Sequence, residues 1–154
     1  MKSTNTEDEE VESHFVVDVN IIFSGVLSRK GIYRKLFSEY KLYTPDFALI
    51  ELSKYREIIL KKARKINADD FRDFTFFIFS KIIVVPSYMI SDESYNSAEK
   101  LLESIDKKDV AYLALAMELD LVLLTRDKIL YEGLISKGFE KVKLFEDFVE
   151  DFSN

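Results

Sequence analysis

Short apolar runs alternate along this chain with longer stretches in which apolar positions recur every three or four residues. Phe15-Val16-Val17, closing on Asp18, opens the series. Lys41–Thr44, Ile82–Val85, Leu121–Leu124 and Lys141–Leu144 repeat the pattern, each short enough for a strand covered on both faces. Between them the period lengthens. Ile21 to Leu27 and Arg29 to Tyr40 read as helices, and Pro45 suits the first turn of another running to about Lys65. Asn67 opens an unusually aromatic helix, Phe71 to Lys81, and Ser91 to Ser104 is amphipathic with Ala98, Leu101, Leu102 and Ile105 inward. Val110 to Leu119 leaves little polar face and reads as a buried helix. Leu130 to Lys137 is closed by Gly138, and Glu146 to Phe152 ends the chain. Strands alternating with helices predict a parallel sheet of about five strands, wrapped on both faces through right-handed crossovers.

The 154 residues suffice for one domain with a substantial core, and no apolar run reaches the roughly 18–20 residues of a membrane span. The opening is polar rather than basic-then-apolar, so no signal peptide is expected and a cytoplasmic location follows by default. Residues 1–13 set Lys2 against Glu7, Asp8, Glu9, Glu10 and Glu12, and are expected to form a disordered acidic tail before a single domain over 14–154. That tail carries much of the net charge of −6, so the charge does not argue against a nucleic-acid partner. Zero cysteines excludes disulfides, thiolate zinc sites and thiol nucleophiles, and a single histidine, His14, speaks against a His-rich metal site or a Ser-His-Asp triad. Carboxylate, hydroxyl and amine chemistry remains.

Acidic residues occupy a telling set of positions. Asp18 ends the first strand, Glu51 lies early in the helix after the second, Asp109 starts a helix beyond the third, and Asp127 follows the fourth. All four fall on one edge of the predicted sheet, where open α/β folds bind their ligands. Singly, each has a structural explanation. Asp109 and Asp127 suit helix caps, Glu51 suits a solvated helix face, and Asp106 suits a structural role beside Asp109. Together they are costly. Two carboxylates about 4 Å apart repel by about 4 kcal/mol at an effective dielectric near 20. A bound cation neutralises such a cluster, and an all-oxygen site without Cys or His matches Mg²⁺ or Mn²⁺.

The segments F-V-V-D-V-N, P-D-F-A-L-I-E-L-S-K, I-D-K-K-D-V-A-Y-L-A-L-A and L-L-T-R-D, in this order and spacing, resemble the PIN-domain ribonuclease family (VapC-like, PilT N-terminus type), over residues 15 to about 150. The resemblance implies a three-layer α/β/α fold and Mg²⁺- or Mn²⁺-dependent cleavage of RNA, leaving a 5′-phosphate, often by the toxin of a toxin–antitoxin pair. It also implies Asp18, Glu51, Asp109 and Asp127 as the catalytic, metal-binding set, with Asn20 and Thr125 as polar supports. Arg126 stands where the family commonly has a small residue. Lys54, Arg126 and Lys128 are candidates for steering an RNA backbone, against the bland alternative of solvated surface.

Other readings are weaker. A phosphoacceptor domain would want an aspartate where Val85-Pro86-Ser87 stands, an aspartate-nucleophile phosphatase would want D-x-D rather than D-V-N, and no Gly-rich phosphate loop can be built from four glycines. The alternative in contention is a non-catalytic module of the same fold that binds RNA or protein. Helical spacing puts Phe71, Phe74, Phe77 and Ile78 inward and Phe76 and Phe79 on the flanks, where either a neighbouring helix or a homodimer contact would cover them.

Overall fold

The computed structural model describes residues 13–28 and 31–153. The expected acidic tail, up to residue 12, and the expected helix start at Arg29 lie outside the described residues. Five parallel strands, β1 (His14–Val17), β2 (Lys41–Pro45), β3 (Ile82–Val85), β4 (Val122–Thr125) and β5 (Val142–Leu144), form one sheet in the order β3-β2-β1-β4-β5. Among the described residues, nine α-helices surround it, giving the three-layer α/β/α arrangement. They are α1 (Val19–Ser28), α2 (Gly31–Glu39), α3 (Phe47–Lys54), α4 (Arg56–Ala63), α5 (Ala68–Lys81), α6 (Asp92–Leu102), α7 (Val110–Leu119), α8 (Lys128–Ser136) and α9 (Phe145–Ser153). No helix among the described residues is long and apolar enough to cross a membrane.

The strands are apolar because both faces are covered. Val16, Val17, Leu42, Leu123 and Leu124 are essentially solvent-free. Helix α7 lies across β1, β2 and β4, with α6 packed over it. Its small residues permit the close approach, and Ala111 to Ala116 are all buried, as the unbroken apolar run predicts. On another side, α1 packs against α3, α4 and α5. A Cβ on Gly25 would stand 3.1 Å from the Phe37 ring and 3.3 Å from Tyr33, so the bare backbone lets α1 and α2 meet. Helix α9 seals a flank with aromatics: Phe145 stacks on Tyr33 at 5.4 Å, and Phe148 meets Phe15 edge-on at 5.3 Å.

Two expectations are corrected. Pro45 is the last residue of β2, paired with Val85, rather than a first-turn helix residue. Its missing N–H is tolerated because the ladder to β1 has already ended at Tyr43, and the helix starts only after Asp46. The long helix expected up to Lys65 is two, α3 and α4, broken at Tyr55. There the Tyr55 amide bonds to the Leu52 carbonyl in a tighter turn, and its ring rests 4.4 Å from that of Phe23 in α1. Helix α4 buries no residue of its own. Elsewhere boundaries shift by a residue or two, with Asn67 capping α5 through the amides of Asp69 and Asp70, and Gly138 at φ +85 ending α8.

Candidate active site

The site forms where the strands end. Strand register sets Val17 beside Leu124, so the next residues, Asp18 and Thr125, are neighbours across β1 and β4. Both are buried, at 3% and 0% exposure. The Thr125 hydroxyl donates to Asp18 Oδ2 at 2.8 Å, while Oδ1 accepts the first amides of α1, from Asn20 at 3.0 Å and Ile21 at 3.2 Å. Asp18 therefore caps the helix that follows its strand, where unpaired N–H groups and the helix dipole favour a negative charge. Burial nonetheless pushes its pKa up, against the opposing pull of those three hydrogen bonds. On the other side of β1, the Thr44 hydroxyl donates to the Val17 carbonyl at 3.0 Å and steadies the strand end.

Asp127 is reached through the same hydroxyl. Its amide donates to Thr125 Oγ1 at 3.1 Å, and its carboxylate caps α8 by accepting the Leu130 amide at 3.1 Å. Asp109 behaves differently. It stands at the start of α7, at the end of a 3₁₀ turn (Lys107–Asp109), yet its side chain makes no cap hydrogen bond. The cap explanation thus holds for Asp127 and fails for Asp109. Burial first, then the charges of Asp18, Asp106, Asp127 and Glu51, raise the Asp109 pKa from 3.8 to about 7. Every charge named there is a carboxylate. Asp106 caps the 3₁₀ turn by accepting the Lys108 amide at 3.0 Å, and so sets where Asp109 stands.

Glu51, half-buried on α3, accepts a 2.8 Å hydrogen bond from the Tyr112 hydroxyl on α7. Tyr112 is 1% exposed, and burial together with Glu51 holds its hydroxyl firmly protonated, a permanent donor. Sequence reading missed this residue. The signal was present: Tyr112 is the single hydroxyl in the apolar run Ala111 to Ala116, three residues after Asp109 and so on the same helix face.

The structure thus brings Asp18, Asp127, Glu51 and Asp106 within electrostatic reach of Asp109. As the side chains stand, no three His, Asp or Glu residues among those described group closely enough to hold a metal ion. Each carboxylate but Asp109 is tied to its own anchor: Asp18 to Thr125 and the α1 amides, Glu51 to Tyr112, Asp127 to the Leu130 amide and Asp106 to the Lys108 amide. His14 begins β1, at the opposite end of the strand from Asp18.

The supporting residues divide. Thr125 is central, whereas Asn20 contributes its backbone amide and its residue is exposed on α1. Arg126 turns away to Ser24 Oγ at 2.5 Å and the Tyr33 hydroxyl at 3.4 Å, over the Phe145 ring. Lys128 faces Glu146 at 3.6 Å, and Lys54 is exposed at the end of α3.

Solved structures with this fold include VapBC2 from Rickettsia felis bound to a DNA fragment from its promoter. That similarity has a TM-score of 0.57 and 15% identity, covering 85% of this chain and 96% of that one. A toxin–antitoxin complex from Klebsiella pneumoniae is similar at a TM-score of 0.54 and 16% identity, over 83% of this chain and 94% of that one. No curated protein matches the chain in sequence. The PIN-domain family model matches residues 16–146, from the middle of β1 to the start of α9, and the chain belongs to the PIN-domain family.

Proposed function

We propose that this chain is a divalent-metal-dependent endoribonuclease, acting in the cytoplasm as the toxin of a toxin–antitoxin pair. The observation that supports it most is the half-buried Asp109 carboxyl, uncapped and raised to about 7 by burial and by the carboxylates around it. A fold stable by only roughly 5–15 kcal/mol retains such mutual repulsion when something other than folding uses it. The donor set is all oxygen, which suits Mg²⁺ or Mn²⁺. Asp18, Glu51, Asp109 and Asp127 would hold the ion, which supplies polarisation of a phosphoryl oxygen and a water made nucleophilic at neutral pH.

The chain's own groups prepare this. Thr125 and the α1 amides fix Asp18, so its carboxylate is oriented before any ligand arrives. Tyr112 aims Glu51 from the buried side, leaving its second oxygen available. Asp109, raised to about 7 by burial and the carboxylates around it, is the group from which a bound cation would displace a proton. The fold shared with toxin–antitoxin complexes supports an antitoxin partner.

A cleavage assay on single-stranded RNA with Mn²⁺, Mg²⁺ or EDTA tests the reading. Asp18→Asn and Asp109→Asn should abolish metal-dependent cleavage while retaining the fold. Full activity in both folded variants would remove the site assignment. A second reading, a non-catalytic RNA- or protein-binding PIN module, draws support from the separation of the carboxylates. It predicts RNA retention without cleavage under every metal condition.

A further inference from the structure

A cleft of about 660 Å³ opens beside the acids, between the start of α3 and the turn that precedes α7. Phe47 and Ile50 form its α3 wall, Tyr95 stands on α6, and Lys107 and Lys108 come from the turn. Its position follows from chain geometry: Ile50 directly precedes Glu51, and Lys108 directly precedes Asp109. Phe47 links the two regions, its ring centred 6.4 Å from that of Tyr112, whose hydroxyl holds Glu51. Two of the acids, Glu51 and Asp109, thus follow directly in the chain on residues that line the cleft.

The lining has two chemistries. Phe47 and Ile50 present apolar surface, and Ile50 is 60% exposed, far more than burial of a core side chain would leave. Lys107 and Lys108 are exposed, and neither ammonium takes part in an ion pair or side-chain hydrogen bond recorded among the described residues. Their placement is fixed by Asp106, which caps the turn that carries them. Asp46 also lines the cleft, with one carboxylate oxygen occupied by the Ser87 amide at 3.1 Å. A purely apolar peptide would leave the lysines unmatched, and a simple anion would leave the apolar wall wet. A nucleotide satisfies both, its base against Phe47 and Ile50 and a phosphate between the two ammonium groups. Base recognition of this kind requires an unstacked base, which single strands and loops provide and A-form duplexes do not.

We propose that this cleft is a nucleotide subsite for single-stranded RNA, holding the base next to the phosphate that lies over the carboxylates. The proposal rests on the ribonuclease reading for what happens at that phosphate, but binding in the cleft is separable from it. The test is fluorescence anisotropy of a fluorescein-labelled, mixed-sequence 12-nucleotide RNA with the full chain, in calcium, across a salt series. Ile50→Asp should weaken binding about tenfold or more, as loss of one base contact implies. The double variant Lys107→Gln, Lys108→Gln should lower the slope of log affinity against log salt by about 0.7, the loss of the one phosphate contact that the two ammonium groups share. All three positions are exposed, so both variants should melt like the wild type. Wild-type affinity and salt slope in both variants overturn the subsite, as does absence of RNA binding by the wild type. Loss of a protein partner in Ile50→Asp with RNA affinity unchanged overturns it too, and assigns the cleft to protein. If the wild type binds as expected but leaves RNA uncut with Mn²⁺, the ribonuclease reading fails and the subsite stands.

Discussion

Tyr112 and Glu51, far apart in sequence, meet through a 2.8 Å hydrogen bond that joins the buried face of α7 to α3. One partner is locked in the core and the other belongs to the acidic site, so the bond transmits the rigidity of the first to the second. Phenylalanine at position 112 keeps the ring and removes the donor. A half-buried carboxylate then loses its partner, at a cost of about 1–3 kcal/mol. Tyr112→Phe should therefore lower the melting temperature by a few degrees, at roughly 2–4 °C per kcal/mol for a chain of this size. It should also reduce kcat for RNA more than it raises KM, because Glu51 loses its aim rather than its charge. Unchanged melting and unchanged kcat would show the bond to be incidental.

Asp109 gives the metal-free protein a pH signature. Its carboxyl binds a proton at about pH 7 when folded, against 3.8 ordinarily. Between those values the folded state holds more protons than the unfolded one, so this group makes stability fall as pH rises from about 4 to about 7. At 1.36 kcal/mol per unit the ceiling is about 4 kcal/mol, reduced by relaxation and solvent around a half-buried group. Asp109→Asn removes this dependence and should be more stable than the wild type at pH 7.5, with the gap closing towards pH 4. Urea unfolding midpoints in EDTA at pH 4.5, 6 and 7.5 check it. Parallel profiles for the two proteins would place Asp109 in an ordinary solvated setting.

Divalent cations should raise stability by relieving the same repulsion. An ion that binds only the folded chain adds about 2.7 kcal/mol at a hundred times its dissociation constant. Mg²⁺ or Mn²⁺ should thus raise the wild-type melting temperature, more at pH 7.5 than at pH 5.5, where the proton on Asp109 competes. Asp127→Asn is the informative variant. Asparagine caps helices as well as aspartate does, so the bond to the Leu130 amide survives while one negative charge is lost. The cation-induced shift should shrink in this variant. An identical shift in both proteins would indicate ions binding elsewhere.

The places of the acids in the fold were legible in the sequence because local rules put them there. A carboxylate that follows a strand or opens a helix has its backbone position fixed within a few residues, and Asp18 and Asp127 stand where strand ends and caps require. The five-strand parallel sheet was legible for a similar reason, since strands covered on both faces are continuously apolar. Tertiary contacts decided the rest. Nothing between Phe47 and Lys65 marks a helix break, and the break falls where Tyr55 meets Phe23 of another helix. Tyr112 looked like core, and is core, except for the one atom that reaches Glu51. Arg126 read as a surface cation, whereas Ser24 and Phe145 hold it across α1 and α9.

The aromatic helix α5 carries the prediction about assembly. Its inward face is as the spacing predicts, with Phe74 and Ile78 buried and Phe71 and Phe77 packed beside them. Arg34 of α2 lies over both the Phe74 and Phe77 rings, at 5.0 and 4.9 Å, so this side of the helix is closed by its own fold. The flanks are not. Phe76 is 66% exposed and Phe79 37% exposed, and Phe79 also lines a shallow groove with Leu49, Leu52, Ile59 and Leu60 from α3 and α4. Ile58, on α4, is 53% exposed as well. Exposed apolar surface of this kind marks contact sites when it is gathered on one face, and a two-fold pairing of identical faces is the commonest way soluble chains cover it. The chain is therefore expected to form a homodimer through the flank of α5 at tens of micromolar. Phe76→Ser with Phe79→Ser should give a folded monomer by light scattering and circular dichroism, with little loss of melting temperature from Phe76, which touches mostly solvent. Phe76→Ser alone should weaken the dimer without unfolding the chain, and thereby separates a contact role from a packing role for Phe79. A wild type that is monomeric at those concentrations would refute the dimer, and unfolding of the double variant but not of Phe76→Ser would assign Phe79 to the groove between α3, α4 and α5.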